Sequence, residues 1–357
     1  MSGDYQRRCP VFGILAVLLL SVCLSDCEVV VMADEAGLFS ANALIGKSFV
    51  AKDSLAKPVD DLSDARQCLE GLCWTASEFS VACIESDQFG CSAALTFHSA
   101  VDSGHAENDQ VVVEWYGVTN KTGLLQKAPA VVVVHESGRG MTVGRMVARG
   151  LRDRGLHAFM VQLPFYGSRR PPGMRSEDQE FATLMRQGIA DVRRTLDAVK
   201  TLPAIDGSKV SLQGTSLRGF IAATTAGLDD AFYRTFILLA GGNLPNLVAR
   251  GQRETADLRE LLKRQGYEGE RVHDLLNRFE PNRLAHRINK DRLWLYAATF
   301  DTVVTAESTD SFAKASGVAS SHYIKMPANH YSGVLFLPMV LDNIAKEASG
   351  AELVRHD

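Results

Sequence analysis

The run KAPAVVVVHES, residues 127–137, constrains the fold of this chain more than any other stretch. Four consecutive valines leave no polar face, so a strand here must be buried on both sides, as happens in sheets covered by helices front and back. The residues after it keep a matching rhythm. MTVGRMVARGLRDRG places apolar residues at helical spacing and ends at Gly155, a residue suited to a helix C-cap. LHAFMVQLPFYG reads as the next strand, Asp178 to Leu202 as a long helix, and VSLQG as another strand. Further strands are expected at Phe236 to Gly242, Arg292 to Phe300 and His322 to Pro327, with VVVEWYGV (Val111 to Val118) alternating ahead of the first buried run. Strand and helix in alternation imply an α/β fold with a mostly parallel sheet and helices on both faces.

Two segments depart from the rhythm. Between Asn243 and Ile288 no strand pattern occurs, only the charged amphipathic helices of LRELLKRQGY and ERVHDLLNRFEPNRL, so residues 243–288 are expected to form a helical cap insertion. Residues 34–109 are weakly periodic and are expected to form an N-terminal extension with a strand near Ala93 to His98, ahead of the main domain at 110–357. Four cysteines, Cys68, Cys73, Cys83 and Cys91, cluster in that extension. Ahead of it, Arg7 and Arg8 precede an apolar run from Val11 to Leu24, shorter than the roughly 18 to 20 residues of a membrane-spanning helix. Residues 1–33 are therefore expected to be a signal peptide, or else a membrane anchor, which would place the protein outside the cytoplasm. In an exported chain the four cysteines imply two disulfides. Paired C-x-x-C spacing, which a zinc site would need, does not occur.

Charge argues about partners. The chain has 38 Lys and Arg against 42 Asp and Glu, with the basic residues scattered, which disfavours nucleic acid. A small-molecule or polymer-borne substrate is expected instead, with membrane contact only through an N-terminal anchor.

Ligands of open parallel sheets sit beyond the carboxyl ends of the strands. The residues expected there are His135 to Gly138, Tyr166 and Gly167, Ser216, Asp301 and His330. Ser216 stands at the apex of SKVSLQGTSLRGF, a strand running through a glycine turn into a helix. A serine hydroxyl is a poor nucleophile until a turn lifts it clear and a base takes its proton. His330 is the candidate base and Asp301 the candidate orienting acid, with Asp310 as the fallback acid; His322 is the competing histidine. Backbone N–H groups of Leu217 and of Glu136 or Ser137 are candidates for an oxyanion hole.

The order serine, acid, histidine, together with HESGRG, LPFYGSRRPP, GTSLRG, FDTVV and PANHYSG in register over about Val111 to Lys346, resembles the α/β hydrolases. Within them it is similar to exported bacterial esterases related to dienelactone hydrolase and acetyl xylan esterase. The resemblance implies an α/β-hydrolase fold and hydrolysis of carboxylic esters through an acyl-enzyme on Ser216, His330 and Asp301, without metal or cofactor. It also implies that Tyr166 and His135 border the substrate, Tyr166 as an oxyanion donor and His135 mainly ordering its loop. Arg169 and Arg170 are expected to anchor their loop rather than to bind an acidic substrate.

One residue departs from the family pattern. G-x-S-x-G would place glycine at 218, where Arg218 stands, and the glycine arrives at 219. Two other readings stand beside the esterase: a peptidase of the prolyl-oligopeptidase type, which uses the same triad, and a catalytically degenerate binding protein that keeps the fold, for which Arg218 is the argument.

Overall fold

The computed structural model describes residues 39–55, 58–175 and 178–350. The expected signal peptide or anchor lies outside them. Among the described residues no helix is long and apolar enough to cross a membrane.

In chain order the extension contributes β1 (Ser48–Lys52), α1 (Ser63–Leu72), β2 (Glu78–Ile84) and β3 (Ala93–His98). The short α2 (Ala106–Asp109) leads into β4 (Gln110–Tyr116), then β5 (Ala128–Val134), α3 (Thr142–Arg152), β6 (His157–Gln162), α4 (Phe181–Lys200), β7 (Ile205–Thr215) and α5 (Ser216–Asp229). After β8 (Thr235–Leu238) come three helices without a strand, α6 (Leu244–Arg250), α7 (Glu254–Arg264) and α8 (Glu270–Asn277). The chain closes with β9 (Leu293–Ala298), α9 (Ala306–Ser316), β10 (Tyr323–Met326) and α10 (Leu337–Ser349).

All ten strands join one sheet in the order β1-β2-β3-β4-β6-β5-β7-β8-β9-β10. From β6 to β10 neighbours run parallel, and β5, at the centre of this part, buries all five residues from Ala130 to Val134. The path from β5 to β6 steps one way along the sheet, and the path from β6 to β7 steps back across β5. Right-handed crossovers in opposite directions put α3 and α4 on opposite faces, which explains why β5 must be apolar all round.

The extension proved more than an appendage. β1, β2 and β3 pair antiparallel with one another, and β3 pairs antiparallel with β4, so they continue the same sheet. Of these three strands, the sequence pattern reveals β3 alone. Buried ion pairs hold this part to α4: Arg194 meets Asp53 at 3.1 Å, and Arg193 bonds Asp197, Asp229 and the hydroxyl of Ser54.

The disulfides expected in the extension are absent: Cys68, Cys73, Cys83 and Cys91 are free thiols. Two of the thiols have hydrogen-bond partners. Cys68 donates to the carbonyl of Asn277 at 3.2 Å, and Cys91 to that of Ala93 at 2.9 Å. Cys83 lies buried in β2, and burial pushes the Cys73 and Cys83 thiols up to about 11, away from the reactive thiolate.

Candidate active site

β7 ends at Thr215 and α5 starts at Ser216, whose φ of 61° lies in the left-handed region. That conformation is costly for a residue with a Cβ and lifts the side chain clear of the strand. Close packing holds the turn. A Cβ on Gly219 would lie 2.6 Å from the Cβ of Ala240 and 3.3 Å from the backbone of Gly214, and a Cβ on Gly214 would collide with Ala222. Gly219 thus meets the need for close helix–strand approach, and Arg218 is free of it. Its side chain runs along a neighbouring cavity, its Nη2 donating to the Tyr166 hydroxyl at 3.3 Å.

Ser216 Oγ lies 2.7 Å from His330 Nε2, and His330 Nδ1 lies 2.6 Å from Asp301 Oδ2. A carboxylate only accepts, so Nδ1 carries the proton and Nε2 is left to accept from the serine. The other oxygen of Asp301 accepts from the N–H groups of Val303 and Val304, fixing the carboxylate just beyond β9. The fallback acid is elsewhere: Asp310 is bonded to Tyr323 and Lys325. His322 stacks on Trp294 with its ring centre 4.2 Å away, apart from the serine.

The first N–H groups of α5, Leu217 among them, have no carbonyl one turn back to bond, and the helix dipole favours negative charge there. Glu136 and Ser137 border the same space. The Glu136 carboxylate is turned away, accepting from the N–H groups of Val143 and Gly144 at the start of α3.

Two expectations about neighbouring side chains, for His135 and Tyr166, need correction. His135 does not border the substrate space: it is fully buried, its Nδ1–H donating to the Glu136 carbonyl and its Nε2 accepting from Leu163 N–H. Burial holds its pKa down to about 3, so it is a neutral loop organiser. Tyr166 does line a cavity, but its hydroxyl donates to the Ser137 carbonyl at 2.8 Å rather than pointing at an oxyanion position. Arg169 anchors its loop, wholly buried against Asp191 at 2.7 Å and bonded to the carbonyls of Asn108 and Gln162. Arg170 bonds the Met174 carbonyl while bordering the cavity of Tyr166.

Two cavities flank the serine. One, of about 420 Å³, is walled by Leu238, Leu239, Val334, Leu337 and Val340 and contains both Ser216 and His330. The other, of about 560 Å³, lies over Leu217 and Arg218 beneath α6 and α7. Glu254 of α7 and Ser137 border both. The Glu254 carboxylate accepts from the hydroxyl of Tyr331, the residue after His330, at 2.8 Å. Sequence reasoning missed this pair; Tyr331 was visible in PANHYSG, whereas nothing marked Glu254 among the charges of an amphipathic helix.

No protein-family profile and no curated protein sequence matches the chain. Solved structures do. An acetyl xylan esterase from Paenibacillus sp. R4 is 16% identical with a TM-score of 0.55, over 86% of this chain and 90% of that one. Acetyl xylan esterase 1 from Thermoanaerobacterium sp. JW/SL YS485 is 14% identical with a TM-score of 0.52, over 80% and 95%. The chain has the α/β-hydrolase fold. A puromycin-hydrolyzing peptidase of Mycobacterium tuberculosis shares it at 14% identity and a TM-score of 0.53, over 77% of this chain and 46% of that one. In chain order the turn at Ser216 joins β7 to α5, and α6 to α8 lie between β8 and β9, with α6 and α7 bordering the cavity over Leu217.

Proposed function

We propose that the protein is a serine hydrolase of carboxylic esters. Ser216 Oγ attacks the ester carbonyl as His330 Nε2 takes its proton, and the N–H groups of Leu217 and of Glu136 or Ser137 receive the charge on the carbonyl oxygen. The C–O bond to the alcohol then breaks, and His330 returns the proton to the departing alkoxide. Water, deprotonated by the same histidine, attacks the acyl-serine, releasing the acid and restoring Ser216. Asp301 holds the imidazole tautomer throughout. The observation that carries the reading is the continuous chain of contacts, 2.7 Å from serine to histidine and 2.6 Å from histidine to aspartate, ending on a serine with positive φ.

A fluorophosphonate probe should label the native protein at Ser216, and Ser216→Ala should lose both labelling and hydrolysis of 4-nitrophenyl acetate. A folded protein that the probe leaves unlabelled would point to the degenerate binding protein. An anilide cleaved faster than its matched ester would point to a peptidase.

A further inference from the structure

The cavity over Leu217 holds an arrangement of charge that the hydrolytic steps do not use. Arg139, Arg170, Arg218 and Arg264 border it, against the carboxylates of Glu254 and Asp257. Glu254 is engaged by Tyr331, and Asp257 is exposed at the rim. Arg218 makes no ion pair among the described residues. Its guanidinium has one long bond to the Tyr166 hydroxyl, lies 5.7 Å over the Tyr166 ring, and keeps a buried Nε without a hydrogen-bond partner. A guanidinium carries five N–H donors, and one long bond leaves most of them and the charge uncompensated, so the group is poised to gain from an anion. Phe165, Phe181, Met185 and Leu258 make much of the remaining wall apolar, which strengthens a charge pair formed there.

Chemistry decides which half of a substrate enters. The leaving oxygen must be protonated by His330, so the alcohol occupies the cavity that contains His330, which is lined by aliphatic side chains. The acyl group is left with the arginine cavity. Resting on the serine-hydrolase reading, we infer that the substrate is a half-ester of a dicarboxylic acid with an apolar alcohol, and that Arg218 is the residue that selects its free carboxylate. The departure from glycine after the nucleophile is then a specificity determinant rather than a defect.

The test compares 4-nitrophenyl hydrogen adipate with 4-nitrophenyl methyl adipate, which share a leaving group and differ in the distal charge. Wild-type kcat/KM should favour the anionic ester at least tenfold. Arg218→Gln should reduce that ratio below threefold, while Arg218→Lys should retain part of it, thermal melting being used to verify that both variants fold. A wild-type ratio near one, or a ratio unchanged in Arg218→Gln, overturns the inference. A second arm needs no turnover: monomethyl adipate binding to Ser216→Ala protein, by calorimetry, should weaken at least tenfold when Arg218→Gln is added, and equal binding overturns the inference. Failure of the fluorophosphonate to label Ser216 would instead count against the hydrolase reading, with this binding arm still deciding the role of Arg218.

Discussion

Asp301 and Asp310 stand nine positions apart, both near β9 and α9, and only geometry separates their roles. Asp301 accepts from two backbone N–H groups and from His330, whereas Asp310 is spent on Tyr323 and Lys325. Asp301→Asn offers His330 an amide N–H and so favours the wrong tautomer. We expect kcat to fall by about ten-thousandfold, with the fold intact. Asp310→Asn should stay within about threefold. Steady-state rates of the two purified variants on one activated ester measure the difference, and comparable losses would reassign the acid. Ser216 and His330 could be singled out in the sequence because each follows the carboxyl end of a recognisable strand, β7 or β10. The pairing of Tyr331 with Glu254 could not, since it lies in one contact across 77 residues.

At the scale of elements, the site depends on how closely α5 approaches β7 and the loop after β8. Gly219→Ala would place a methyl group 2.6 Å from the Cβ of Ala240, which neither backbone can accommodate without moving. A cost of about 1–3 kcal/mol in stability is expected, together with a loss of turnover as Ser216 shifts from His330. Chemical denaturation measures the first and ester kinetics the second; an unaffected variant would mean that the contact yields. The helical insertion was readable as a gap in the strand pattern. Its attachment was not: buried Glu280 accepts from the N–H groups of Asn243 and Leu244, tying the start of α6 to the chain that returns toward β9. β5 announced itself through four valines, while β1 and β2 did not. β1, at the sheet edge, buries only Ala51, and the alternation of β2 passes through Ser80 and Ala82, which carry little contrast.

For the whole molecule, the extension decides whether the hydrolase part can stand alone. Removing everything through Asp109 would strip Asp53 from Arg194, leaving that buried guanidinium on α4 without its carboxylate, and would uncover the edge of β4 that β3 covers. Such a truncation is expected to be insoluble or to melt without cooperativity, because a buried charge that loses its partner costs about 3–5 kcal/mol. A soluble, cooperatively melting product, seen by calorimetry, would show that the extension is dispensable. The strand order also fixes where the sheet stops. Among the described residues its outer members are β1 and β10, five and four residues long, and each carries a lysine, Lys52 and Lys325. Two copies meeting rim to rim would find few free amides to share, so the short ends of this sheet disfavour growth into a fibre.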